Sequence, residues 1–380
     1  MRLRIIELAI CVCCVIAITS CIAFDKEANH IGTVDLLELI DEAEEFKLSQ
    51  LANGHEFIIL ETTDSSLLGT PGKMIYSSGD IYIQSRSVVY RFGYNGIFKN
   101  VIGKRGRGPG EYGSLRDFDI SENNSSLAFL TSPGGKVLIF DKTGVLKTTF
   151  PTDQKALNIA YTDDLIMTYS DNTSVSAEHS FCFYTAQGEN LICMPGHYPY
   201  VGEVSLVVSI FNPAIFFEFG GKHYVREWQG DTVYLIEGTD IKPWMILSSG
   251  EKRYTATART EGKETQDYLI VNNISATKNF LMIKYSLDGS GYLIIYEFNK
   301  GENKAVKLSN GGIVDDIVAG RIVRDFFPTG AGDTISYFIS PSDYNGLFKT
   351  HPEFFQGLKP PASEIGEMSN PVIVRVNLIK

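Results

Sequence analysis

Six cysteines occur in 380 residues, and four of them, Cys11, Cys13, Cys14 and Cys21, fall in the first 21 positions. The rest of the chain keeps only Cys182 and Cys193. No Cys-x-x-Cys and no Cys/His zinc spacing occur there, which excludes zinc ribbons, zinc fingers and thioredoxin-like redox motifs. Basic charge is also scarce. Lys and Arg total 34 against 45 Asp and Glu, a net charge of −11. A nucleic-acid-binding domain needs a basic footprint, so nucleic acid is not an expected partner. Long apolar runs are missing too. The longest, Leu8 to Ile18, has eleven residues, where a membrane-spanning helix needs about twenty. Gly-x-Ser-x-Gly, the P-loop pattern, His-Glu-x-x-His and the Asp-x-Asp-x-Asp-Gly calcium loop are all absent. That leaves no local motif for a serine hydrolase, a nucleotide-binding enzyme, a zinc peptidase or an EF-hand. No metal and no cofactor are expected.

What is present begins with an address. Arg2 and Arg4 precede the short apolar run, as in a signal peptide. Ile18-Thr19-Ser20-Cys21 then places an aliphatic and two small residues before a cysteine. This resembles the lipobox of bacterial lipoproteins, which implies cleavage before Cys21 and acylation of it. The resemblance makes the chain an exported lipoprotein, periplasmic or at the cell surface. An uncleaved anchor is the alternative, since Ile22-Ala23-Phe24 prolongs the apolar stretch. Asp25, Lys26 and Glu27 do not select a membrane leaflet.

The body is rich in Gly (35), Phe (23) and Tyr (19) and has only 14 Pro, a turn-rich β composition. Short β-branched and aromatic runs recur before glycine turns. They are Val88–Phe92 before Asn95-Gly96, Val137–Phe140 before Gly144, Phe181–Tyr184 before Gly188, Val233–Ile236 before Gly238 and Leu293–Tyr296 before Gly301. The glycines lie 48, 44, 50 and 63 residues apart. Hairpins at such periods suit four-stranded propeller blades. A sixth blade is assembled from the chain ends, Phe57–Leu60 with Val372–Leu378. The expected fold is therefore an all-β, six-bladed β-propeller closed by its N- and C-terminal strands. A β-sandwich is the alternative, and the interval of 63 is the irregular feature. Val34 to Phe46 spaces its apolar residues among acids and predicts a short amphipathic helix. His351 to Met368 predicts another helix or an insert broken by Pro360-Pro361. The expected division is a signal peptide over 1–20, a tether with a short helix over 21–50, and the propeller over 51–380.

The stretch Val101-Ile102-Gly103-Lys104-Arg105-Gly106-Arg107-Gly108-Pro109-Gly110-Glu111-Tyr112 resembles the six-bladed β-propeller lipoproteins of Bacteroidetes, relatives of NHL-type propellers. Leu60-Glu61-Thr62 with Leu67-Leu68-Gly69, Arg91-Phe92 with Asn95-Gly96, and Asn370-Pro371-Val372 agree with it. Ser85 departs from the pattern, where an aspartate is usual. The resemblance implies fold and address and carries no reaction.

Three features carry candidate chemistry. The 103–113 loop is a candidate anion or ligand site through Lys104, Arg105, Arg107, Glu111 and Tyr112, because glycines let backbone amides approach an anion; the alternative is a structural connector. Phe216-Phe217-Glu218-Phe219 and Phe326-Phe327 are candidates for a glycan-stacking face or for inter-blade packing. Asp163-Asp164 and Asp315-Asp316 read as surface turns, and the six histidines as solvated or packed. A two-residue turn at Gln187-Gly188 would set Cys182 directly opposite Cys193, and a disulfide is expected in an oxidising compartment. A three-residue loop would instead turn Cys193 to the other face. The function these readings support is a lipid-anchored, non-enzymatic module at the cell envelope, binding a protein or glycan. The alternative is a propeller hydrolase or lyase acting on carbohydrate or peptide at the central channel.

Overall fold

The computed structural model describes residues 32–379 except 109, 133–134, 154, 172–178, 199–213, 319–320, 331 and 356–362. Cys21 and its flanks therefore lie outside the described residues. Six antiparallel sheets form the blades of a ring, as the sequence predicts. Blade 1 spans 71–102, blade 2 spans 114–151, blade 3 spans 156–194, blade 4 spans 214–248 and blade 5 spans 270–308. Blade 6 is composite. Phe327–Pro328 and Thr334–Ile339 are joined by Val372–Leu378, which pairs antiparallel with Ala52–Ile59 from the other end of the chain.

The burial pattern explains which strands are visible as apolar runs. A middle strand is covered on both faces by neighbouring blades, so Asp80–Ser85, Ser126–Ser132 and Lys136–Asp141 are buried almost throughout. An outermost strand such as Leu146–Pro151 alternates instead. The five recurring runs are the third strands of blades 1 to 5, and their glycine turns lead to the fourth. Two of these turns need glycine for space as well as for φ. A Cβ on Gly96 would lie 2.1 Å from the Ile59 carbonyl of blade 6, and one on Gly144 would lie 2.8 Å from the Val101 carbonyl of blade 1. Each turn thus seats on the outer strand of the preceding blade. The interval of 63 has a simple source: residues 249–269, with the short helix Ala256–Thr260, are inserted between blades 4 and 5.

The predicted helix over Val34–Phe46 is corrected. Gly32–Asp35 is a strand lying parallel to Asp240–Ser248 at the outer edge of blade 4, and Glu44–Glu45 lies parallel to Glu302–Leu308 at the edge of blade 5. A turn joins them, begun by Asp35 Oδ1 accepting from the amides of Leu37 and Glu38. Val34 and Leu36 are buried, and Leu37, Leu39, Ile40 and Ala43 pack beside them over blades 4 and 5. The apolar spacing that suggested a helix face is satisfied by a seam between two blades. Residues 32–50 therefore pack on the propeller as a strap, and the remainder of the expected 21–50 tether lies outside the described residues. Within the expected insert, Pro352–Phe355 forms a short 3-10 helix and Pro360-Pro361 lies outside the described residues; a longer helix, capped by Ser340, precedes it at Pro341–Thr350.

Cys182 faces Cys193 and the two are disulfide-bonded (S–S 2.00 Å). The turn is not the expected two-residue one. Thr185 and Glu189 bond across a loop of Ala186, Gln187 and Gly188, and Tyr184 faces Asn190. A bulge at Leu191 then shifts the register so that Phe183 faces Ile192 and the cysteines meet.

Candidate functional site

The first strands of the blades, Pro71–Ser77, Ser114–Ile120, Ala156–Thr162, Ala214–Phe219, Ile270–Ala276 and Phe327–Pro328, surround the propeller axis. They enclose a channel of about 1780 Å³, larger than an ordinary small-molecule cleft. The hairpins between first and second strands, including Ser78, Glu122, Gly220 and Lys278, form one mouth.

The wall on blades 1 to 4 is acidic. Lys73 donates to Asp117 Oδ1 (2.9 Å) and to the Phe118 carbonyl (2.7 Å). Asp117 Oδ2 accepts from the Ile159 amide (3.1 Å), and Asp119 Oδ2 from the Tyr161 amide (2.8 Å). The carboxylates of blade 2 thereby hold the first strand of blade 3. Two acids further on, Glu218 pairs across the strand with His223, and His223 Nε2 lies 3.8 Å from Glu122 Oε1. Burial pushes the Asp119 carboxyl above the ordinary carboxylate range, although Lys73 and His223 pull the other way. Glu218 is raised as well, by desolvation within the channel and by Asp119 and Glu122, against His223. Lys73 is held above the usual lysine value: burial lowers it, but Asp117 and Asp119 outweigh the burial.

The wall beside Glu218 is aromatic. Phe216, Phe217, Phe219, Trp244 and Phe298 all border the channel, with Phe219 stacked on Phe298 at 4.2 Å. Phe326 and Phe327 border it from blade 6. Both aromatic runs singled out in the sequence therefore reach the same cavity, and both also contribute to packing between blades. Lys278, Arg321, Arg324, Asp325 and Asp343 lie toward blades 5 and 6, where Arg321 is ion-paired with Asp343.

The 103–113 loop is elsewhere, between blades 1 and 2. Lys104 Nζ pairs with Glu111 Oε1 at 2.8 Å, and Glu111 Oε2 accepts from the Gly108 amide at 2.8 Å. Lys104 and the Gly108 amide hold the Glu111 carboxyl below its ordinary value. The amide cradle is thus filled by the chain's own carboxylate. Lys104, Arg105 and Arg107 are exposed, with Arg105 Nε donating to the Gly113 carbonyl. Tyr112 is buried against Phe129 and Phe140.

The histidines divide among packed and paired settings. His197 Nδ1 contacts Glu227 Oε2 at 2.7 Å and its ring stacks on Tyr234, while His55 packs edge-on against Phe57 and Phe354. Among the described residues no group of three or more His, Cys, Asp or Glu is placed to hold a metal ion, and no helix is long and apolar enough to cross a membrane. Asp315 is not on the surface as expected. It is buried, accepting from the Ile317 and Val318 amides and the Tyr337 hydroxyl. Its neighbour Asp316 anchors Ser49 of the strap.

A family model described as a domain of unknown function, DUF4934, matches residues 31–377. Among solved structures, the chain is similar to a putative exported protein from Bacteroides fragilis, with a TM-score of 0.65 and 16% identity over 92% of this chain and 99% of that one. It is also similar to a member of the DUF4221 family from Bacteroides vulgatus, with a TM-score of 0.54 and 10% identity over 87% and 97% of the two chains. At these identities the likeness establishes the propeller fold alone. A search of curated proteins finds no match.

Proposed function

Since this chain belongs to the DUF4934 family, a family whose description states a domain and no reaction, we propose that it is a non-enzymatic binding module of the cell envelope. It is exported, anchored through acylated Cys21, related to NHL-type propellers, and takes its ligand in the central channel. One observation carries this reading. The channel is about 1780 Å³ and combines half-buried phenylalanines with carboxylates from two blades. Aromatic faces stack on the C–H faces of sugars, and carboxylates accept from hydroxyls, so a glycan meets both walls. A glycan array followed by calorimetry tests it. An oligosaccharide should bind the native chain and lose at least tenfold in affinity with Phe219→Ala; unchanged binding would move the site out of the channel. For the anchor, a fatty-acid analogue should label the native chain and not Cys21→Ser.

A hydrolase or lyase is the second reading, favoured by one observation: two carboxyls with raised proton affinity, Asp119 and Glu218, share the channel with His223. Turnover of a carbohydrate or peptide that disappears in Asp119→Asn would establish it.

A further inference from the structure

We propose that the outer edge of blade 3 is a docking surface for the chain's own N-terminal segment, with Ile22-Ala23-Phe24-Asp25 added to Asn190–Met194 as a parallel strand. Two independent observations carry this: the path of the strap, and the side chains that the edge of blade 3 leaves uncovered.

The strap advances one blade in ten residues. Asp35 lies opposite Ser248 on the outer strand of blade 4, and Glu45 lies opposite Lys307 on that of blade 5. The chain then bridges at Lys47 to Val314 and enters blade 6 as Ala52–Ile59. Followed toward the N-terminus, the same step leads from blade 4 to blade 3 and from Asp35 to Asp25. Ile22-Ala23-Phe24-Asp25 also matches Gly32-Thr33-Val34-Asp35 in pattern, with an apolar side chain third and an aspartate fourth. In the strap Val34 is the buried anchor, and Asp35 ends the pairing by accepting from the Leu37 and Glu38 amides.

The edge of blade 3 is made like the covered edge of blade 4. In each outer strand one extra residue follows the turn, Trp244 in blade 4 and Leu191 in blade 3. Met245 and Leu247 come next in blade 4, opposite Gly32 and Val34, and both are 0% exposed. Their counterparts in blade 3 are Ile192 and Met194, which share one face of the strand. Ile192 is 42% exposed, Met194 is half-buried, and among the described residues no strand pairs with this edge. Blades 1 and 2 show what an edge left to solvent carries. After their own extra residues, Lys99 and Lys147, they place Asn100 and Thr148 at the position of Ile192. Blade 3 thus has the apolar residue of a covered edge in the place where uncovered edges are polar. A strand in the register of the strap would set Ile22 beside Ile192 and Phe24 beside Met194, and would satisfy the outward amides of the edge.

The docking does not depend on an acyl group. Its consequence for orientation does rest on the anchor proposed above: with Cys21 acylated, lipid and ring are joined without slack, and blade 3 is the rim nearest the bilayer. Hydrogen exchange read by mass spectrometry tests the docking on the whole chain. Residues 190–194 should exchange at least tenfold more slowly in the native chain than in an Ile22→Asp, Phe24→Asp double variant, while residues 245–248 of blade 4 exchange alike in both. Equal exchange of 190–194 in the two chains overturns the proposal. Fast in both means an open edge, and slow in both means that another segment or a second molecule covers it. A second measurement needs no polar substitution. Phe24→benzoylphenylalanine should cross-link under ultraviolet light to residues 190–195 of the same molecule. Cross-links only elsewhere in the ring, or only to a second copy, also overturn the docking, and fatty-acid labelling of Cys21 judges the anchor separately.

Discussion

Asp80 is buried at the first hairpin of blade 1 and accepts from Arg91 and Lys99, with Asn124 of blade 2 in reach. Arg91 also donates to the Lys142 carbonyl, so one carboxylate organises two blades. Burial raises its proton affinity, but Lys99 and Arg91 outweigh burial and leave the carboxyl below its ordinary value. The sign follows: its stabilisation is full above the unfolded value near 4 and disappears as pH falls through the lower folded value. Asp80→Asn should cost about 3 kcal/mol at pH 7, because it strands the largely buried Arg91 guanidinium, whereas Lys99 reaches solvent. The gap from wild type should close in acid, and urea melts from pH 7 to pH 2 measure it. Glu218 has the opposite sign. Its proton is held more tightly in the folded chain, so Glu218→Gln should raise the melting temperature at pH 8 and leave it unchanged at pH 4. That is the pattern of a side chain kept for binding rather than stability. The cysteines mark how far residues can be read from sequence. Both turn registers were legible, and the chain uses both. The glycine loop sets the first pairs, and the Leu191 bulge restores the cysteine pair. A bulge leaves no periodicity in the sequence, so only the geometry reveals it. Replacing both cysteines by alanine should cost roughly 2–3 kcal/mol, the loop-closure value for so short a ring, read as the shift between urea melts of the native chain and the double variant under non-reducing conditions.

Elements were legible wherever neighbouring blades cover both faces, because burial on both sides yields continuous apolar runs such as Val137–Phe140. They were illegible where an element owes its form to an edge. Leu36, Leu37, Leu39 and Ile40 have helical spacing, but the open edge of blade 4 offers backbone partners to Gly32–Asp35, and pairing there wins. Asn370 belongs to the same class. Its Oδ1 accepts from the Leu68 amide, and its Nδ2 donates to the Glu61 and Ser66 carbonyls, fixing the passage from Ala52–Ile59 into blade 1. Ser85, where the resembled family has an aspartate, still fills a turn role by accepting from the Gly69 amide. Asn370→Ala should strand one amide and two carbonyls in a buried site, at about 3 kcal/mol. Hydrogen exchange should quicken first at Leu68 and Gly69. Exchange that quickens elsewhere would mean that Asn370 does not secure this joint.

At the scale of the whole molecule, the ring decides both what was hidden and what holds. Asp119 and Glu218 are about a hundred positions apart in sequence and share one channel because blades 2 and 4 both turn their first strands to the axis. No spacing rule connects them, and Glu218 alone looks like an interruption in an aromatic run. The same ring closes through blade 6, where Val372–Leu378 sits between Thr334–Ile339 and Ala52–Ile59. Val372, Ile373, Val374 and Val376 are fully buried there. At roughly 1.5–3 kcal/mol for each, their loss amounts to about 6–12 kcal/mol, the size of a typical domain's entire stability. The neighbouring strands would also be left with unpaired edges. Deleting residues 370–380 should therefore abolish the cooperative thermal transition of every blade, not of blade 6 alone. A synthetic peptide of residues 368–380 added in trans should restore it by refilling the gap. A truncated chain that melts like the intact one would mean that the other five blades hold the ring without this strand.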